Sequence, residues 1–107
     1  MEQVKLYGKA EIVTKERIEL EYYIVSERIG FENCNLMSYG IRVKKTAFYD
    51  GGGKSVEMNQ INNVFYRKED AEEFMDIIIR NKVTPVTLRD VVEDYIVESI
   101  ASARRQV

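Results

Sequence analysis

The sequence contains no histidine and no tryptophan, and it has one cysteine, Cys34, and one proline, Pro85. Without imidazole, every nucleophile, general base or metal site that depends on histidine is excluded. A lone cysteine has no partner in its own chain, so a disulfide scaffold is excluded as well. Long apolar runs are also missing. The longest aliphatic run is Ile77-Ile78-Ile79, far too short to span a bilayer. Met1-Glu2-Gln3-Val4-Lys5 lacks the apolar stretch of a signal peptide. A cytoplasmic, reducing location is therefore expected, and it suits an unpaired thiol.

What is present fits one folded domain spanning 1–107. The chain has a mass of 12.5 kDa, with 45% hydrophobic and 32% charged residues, too apolar for a disordered segment. The formal charge of −2 is unevenly spread. Residues 1–68 carry a net +2 and residues 69–98 a net −6, while Arg104 and Arg105 follow in the tail. Binding to duplex nucleic acid through bulk charge is not expected, because it rests on many lysine and arginine contacts to phosphate.

The first two-thirds of the chain reads as strands. Val4, Leu6, Gly8, Ala10 and Ile12 alternate with polar residues, which places all five on one face. After a turn at Lys15-Glu16, Ile18, Leu20, Tyr22 and Ile24 alternate with Arg17, Glu19, Glu21 and Tyr23. This is the clearest two-residue period in the chain. A polar connector around Gly30 and Cys34 leads to a third strand, with Met37, Tyr39, Ile41 and Val43 on one side. Asp50-Gly51-Gly52-Gly53 predicts a turn. Val56 and Met58 open a fourth strand, and the asparagines between Asn59 and Asn63 predict a bulge or an early end.

At Lys68 the period changes. Ala71, Phe74, Met75, Ile78 and Lys82-Val83 follow helical spacing, with acids in the first turns and Arg80 and Lys82 in the last. Pro85 closes that helix by forcing Thr84 to extend. Thr87 is the expected N-cap of a second helix, with Asp90 placed for a capping box. Its apolar stripe comprises Leu88, Val91, Val92, Tyr95, Ile96, Ser99 and Ile100. The fold class is α+β: a four-stranded antiparallel meander followed by two helices packed on one face.

Four groups of residues bear on chemistry. Gly51-Gly52-Gly53-Lys54-Ser55 resembles the end of a phosphate-binding loop, but Phe48 stands where the motif needs glycine and strand follows where it needs a helix. A hairpin is the better reading. Cys34 has no imidazole base and reads as an incidental thiol. Glu69, Glu72, Glu73 and Asp76 share a helix face, yet no loop carbonyls join them as a calcium site needs. That row reads as a solvated face. Arg42, Lys44, Lys45 and Lys54 lie near Tyr23, Phe48, Tyr49 and Tyr66. Basic and aromatic side chains interleaved on a sheet can stack single-stranded bases, although Glu19, Glu21 and Glu57 are expected on the same face.

The segment Val83-Thr84-Pro85-Val86-Thr87-Leu88-Arg89-Asp90-Val91-Val92-Glu93-Asp94, with Glu21-Tyr22-Tyr23-Ile24-Val25 and Tyr39-Gly40-Ile41, resembles a family of small bacterial proteins with no assigned function. The resemblance runs from about Lys15 to Ile96. It implies no activity, cofactor or catalytic residue.

The expected function is that of a small cytoplasmic accessory protein acting through protein contacts or self-association, with a homodimer as one form. Ile77, Ile79 and Val97 flank the helical stripes and are the candidate partner surface. The alternative is single-stranded nucleic-acid binding through Arg42, Lys44, Lys45 and Lys54. A carboxylate-based enzyme ranks last, because no spacing selects a pair of acids. No catalytic residue, metal or cofactor is assigned, and no membrane association is expected.

Overall fold

Alternating side chains make four long strands, and in the computed structural model they pair in chain order. The described residues are 2–30 and 36–105. They form β1 (Glu2–Val13), β2 (Arg17–Ile29), β3 (Leu36–Phe48), β4 (Lys54–Phe65), α1 (Lys68–Arg80) and α2 (Leu88–Arg105). Every neighbouring pair is antiparallel, so the α+β meander expected from the pattern is the architecture found. Cys34 and most of its polar connector lie outside the described residues, as do the side chains of Arg104 and Arg105. The molecule is a slab of 55 × 36 × 17 Å.

Paired residues of antiparallel strands share a face, so the register assigns each side chain to one of two surfaces. The inner face holds Ile18, Leu20, Tyr22 and Ile24 of β2 with Ile41, Val43 and Ala47 of β3. Against it lies α1, whose buried residues are Ala71, Phe74, Met75 and Ile78, the spacing the sequence predicts. Leu88 and Val92 from the first half of α2 complete the cluster. Phe65, Phe74 and Tyr95 pack as an aromatic trio, with ring centroids 4.9 to 6.0 Å apart. At the centre the Tyr22 hydroxyl donates to the Val83 carbonyl at 2.9 Å.

Two bulges depart from simple alternation. In β1 the register slips between Leu6 and Gly8, so its five apolar residues do not share a face. Gly8, Ala10 and Ile12 pair with Tyr22, Leu20 and Ile18 on the inner side, whereas Val4 and Leu6 pair with Val25 and Tyr23 on the outer side. The extra residue, Tyr7, donates its hydroxyl to Asp76 of α1 at 2.9 Å. The second slip falls opposite Tyr39 and Ile41, where β4 inserts residues before Phe65. This is the bulge foreshadowed by the asparagines. Asn63 adopts a left-handed φ of 56° and accepts from Ser38 Oγ. A Cβ at Gly40 would stand 2.5 Å from the Ile61 carbonyl oxygen, so only glycine admits the close approach of β4.

Helix ends differ from expectation in two ways. α1 stops before Pro85 acts, through a Schellman motif. The Val83 amide donates to the Ile78 carbonyl and the Lys82 amide to that of Ile79, with Lys82 left-handed at φ 51°. At α2 the Val91 amide donates to the Thr87 carbonyl, so Thr87 does hold the cap position. Its hydroxyl, however, turns back to the Thr84 carbonyl at 3.3 Å rather than toward the first-turn amides.

Candidate functional site

Both helices follow the strands and lie on the inner face, so among the described residues no helix covers the outer face of the sheet, although the β4 bulge closes over its end at Gly40 and Ser38. That face is built from Arg17, Glu19, Glu21, Tyr23, Val25 and Glu27 of β2, the even-numbered residues of β3, and Lys54, Val56, Met58 and Gln60 of β4. β1 adds Val4 and Leu6 before its bulge and Lys9, Glu11 and Val13 after it.

The charges here are organised in short contacts within β2 and across neighbouring strands. Arg17 pairs with Glu11 at 3.5 Å and with Glu19, and its guanidinium lies 4.8 Å from the Phe48 ring centroid. Lys44 reaches Glu21 at 3.9 Å. Arg42 donates from Nε to Gln60 at 2.6 Å, and Tyr23 donates to Glu21 at 2.8 Å. That hydrogen bond to a carboxylate is the main reason the Tyr23 hydroxyl titrates above its ordinary value, with burial second. Between these polar contacts stand apolar side chains with no cover. Val56 is 53% exposed and Met58 is 58% exposed.

The sequence-derived basic group divides between the two faces. Arg42, Lys44 and Lys54 are on the outer face, but Lys45 pairs with Leu20 and Glu57 on the inner side. A two-residue period puts 42 and 44 together and turns 45 away. The same rule removes Glu57 from the outer face, where Glu19 and Glu21 remain. Tyr23 and Phe48 share that face with the three basic residues.

The helical group also divides. Ile79 packs onto the core, its Cδ1 filling the space over Gly8, and Ile77 is half-buried. Ile79 is thus held by the sheet beneath α1, and of the three residues only Val97, 65% exposed, stands largely free. Ile96 and Ile100 of the same α2 segment are exposed as well. Beyond Tyr95 the helix has less protein against it, so part of its apolar stripe faces outward. A shallow hollow of about 280 Å³ lies there, bordered by Val64, Phe65, Tyr95, Ile96 and Ile100.

A second concavity, of about 450 Å³, opens beside the start of α1. Lys5, Tyr7, Tyr39, Lys68 and Glu72 are among its lining residues. Tyr7 titrates above its ordinary value, chiefly through its hydrogen bond to Asp76. The α1 acids do not converge there. Among the described residues no three carboxylate or thiol groups are grouped to hold a metal ion. Gly51 and Gly52, both at φ 95°, make a tight hairpin closed by the Tyr49 amide on the Gly53 carbonyl at 2.8 Å.

The outer face could be foreseen from the alternation of β2 and β3. The outward placement of Val4 and Leu6 could not, because it depends on the bulge at Tyr7. Among the described residues no helix is long and apolar enough to cross a membrane.

No curated protein and no solved structure matches the chain. Residues 1–98 do match one described family. The protein thus belongs to the family of unknown function DUF6514.

Proposed function

We propose that the chain is a small cytoplasmic accessory protein that works through protein contacts, and that the uncovered sheet face is its contact surface. The observation that carries this reading is the exposed apolar set on that face. Val56 and Met58 on β4 and Leu6 on β1 stand in solvent among charged residues. Neighbouring exposed apolar side chains bordered by polar ones fit the apolar centre and polar rim of a protein contact.

A single-stranded nucleic acid is the weaker occupant. Phe48 and Tyr23 could stack bases, but Phe48 already carries Arg17, and Lys44 and Tyr23 are both engaged by Glu21. A phosphate chain needs a positive track, and the glutamates of β2 interrupt one.

Site-specific photocrosslinking in the native cell tests the reading. A photoreactive residue at Met58 is expected to give protein adducts, and one at Arg89, exposed on α2, is not. Equal yields at both positions, or nucleic-acid adducts alone at 58, would overturn it.

A further inference from the structure

We propose that the occupant of the outer face is a second copy of this chain, seated face to face about a two-fold axis parallel to the strands. The inference deepens the contact-surface reading above and rests on it.

The argument starts from how charge is divided across the four strands. On the outer face β1 and β2 present Glu2, Glu11, Glu19, Glu21 and Glu27 against Lys9 and Arg17, a formal net of −3. On the same face β3 and β4 present Arg42, Lys44 and Lys54 with no carboxylate, a formal net of +3. The face is a dipole running across the strands. The strand period alone does this. In β3 it sends the alternate positions outward as Arg42, Lys44, Thr46 and Phe48, and in β4 it turns Glu57 inward.

Symmetry then selects one arrangement. Two outer faces can meet about a two-fold axis lying in the plane between the sheets. An axis across the strands sets β1 on β1 and β4 on β4, acid on acid and base on base. An axis along the strands sets β1 on β4 and β2 on β3, so each acidic half meets a basic half twice. Such an interface is isologous and closes as a dimer. Like charges brought face to face are costly, whereas complementary halves set orientation.

The register makes the contacts specific. Glu21 and Lys44 are paired neighbours, so they stand at one level along the strands. Rotation about this axis brings Glu21 opposite Lys44 of the second copy, and Lys44 opposite its Glu21. Lys9 pairs with Glu21 and Met58 pairs with Lys44, so Lys9 meets Met58 at that same level. One level on, Glu11 meets Val56. An open hollow of about 310 Å³ lies over β1 and β2, bordered by Lys9, Glu11, Glu19 and Glu21. It faces Met58 and Val56 of the other copy, the apolar side chains that stand proud of β4, while Glu11 and Glu19 at its border stay paired with Arg17. Two sheets stacked in this way keep their strands within about 30° of each other, as in a sandwich.

Sedimentation of the full chain, from micromolar to near-millimolar concentration, tests the proposal. A dimer of twice the chain mass is expected. Arg42→Glu with Lys44→Glu should raise its dissociation constant about 100-fold, and Glu19→Lys with Glu21→Lys should do the same. Mixing the two variants should restore association, since each then supplies the charge the other lacks. A wild-type monomer throughout, a dimer insensitive to both variants, or a mixture that stays monomeric would each overturn it.

Circular dichroism checks that the reversed chains fold. If they do not, cysteine pairs in a Cys34→Ser background decide. Chains carrying Lys9→Cys and Met58→Cys should oxidise to a 9–58 link when mixed, and a preference for 58–58 overturns the axis. Adducts of Met58 with another protein, from a chain that sediments as a monomer, would overturn the second copy while leaving the contact surface standing. No adducts at Met58 would remove both.

Discussion

The Tyr22 hydroxyl donates to the carbonyl of Val83, 61 residues away, with the tyrosine wholly buried. The bond ties the second strand to the segment that joins the helices, and it satisfies the one polar atom of the largest core side chain. Tyr22→Phe should cost about 1–3 kcal/mol, because the Val83 carbonyl stays inside without its donor. Chemical denaturation of the two chains would measure this. An unchanged midpoint would mean that water reaches Val83.

The same burial pushes the Tyr22 hydroxyl up to about 12. An unfolded chain releases that proton near pH 10, while the folded one keeps it, so ionisation favours unfolding. The stabilisation is complete below pH 10 and is lost as pH rises from 10 toward 12. Melting temperatures across that window should fall for the wild type and less steeply for Tyr22→Phe.

Lys82 is left-handed in a position that suits glycine. Lys82→Gly keeps the Schellman bonds and relieves the backbone, and a gain of about 1 kcal/mol is expected. A loss would show that the lysine stem contributes packing worth more than the relief.

The two strand glycines should respond differently. A methyl at Gly40 meets the backbone of Ile61 and Asn62, which cannot move without breaking the bulge. Gly40→Ala should therefore cost about 1–3 kcal/mol. A methyl at Gly8 meets the tip of Ile79 at 2.6 Å, a flexible end that can rotate away. Gly8→Ala should stay within about 1 kcal/mol of the wild type. Thermal melts of the pair would compare them directly.

Thr87→Ala should cost less than the ~1 kcal/mol typical of a lost N-cap, because the Thr87 hydroxyl is already turned to Thr84. A full loss by calorimetry would mean that it also serves the first-turn amides in solution.

Much of this was legible from local pattern. The alternation from Arg17 to Ile24 and the spacing of Ala71, Phe74, Met75 and Ile78 each state which side is buried, and the structure buries those sides. What escaped depends on distant partners. Tyr7 leaves its strand's alternation to reach Asp76, 69 residues on, and nothing near Tyr7 announces it. Ile96 and Ile100 continue a regular stripe, but periodicity cannot say how far along α2 protein lies to cover it. The outer basic group was legible except at Lys45, which neighbours Lys44 in the chain but is turned to the inner face by the strand period.

The two bulges fall on β1 and β4, the strands that bound the sheet. A free strand edge is a row of unpaired amides and carbonyls that can recruit another strand and grow into an aggregate. A bulge breaks the even spacing such recruitment needs, and here each margin carries one. Tyr7 interrupts one border and Asn62-Asn63 the other, with Lys5 and Lys9 adding charge beside the first. The sheet is thereby guarded against lengthening sideways, and four strands become a terminal number.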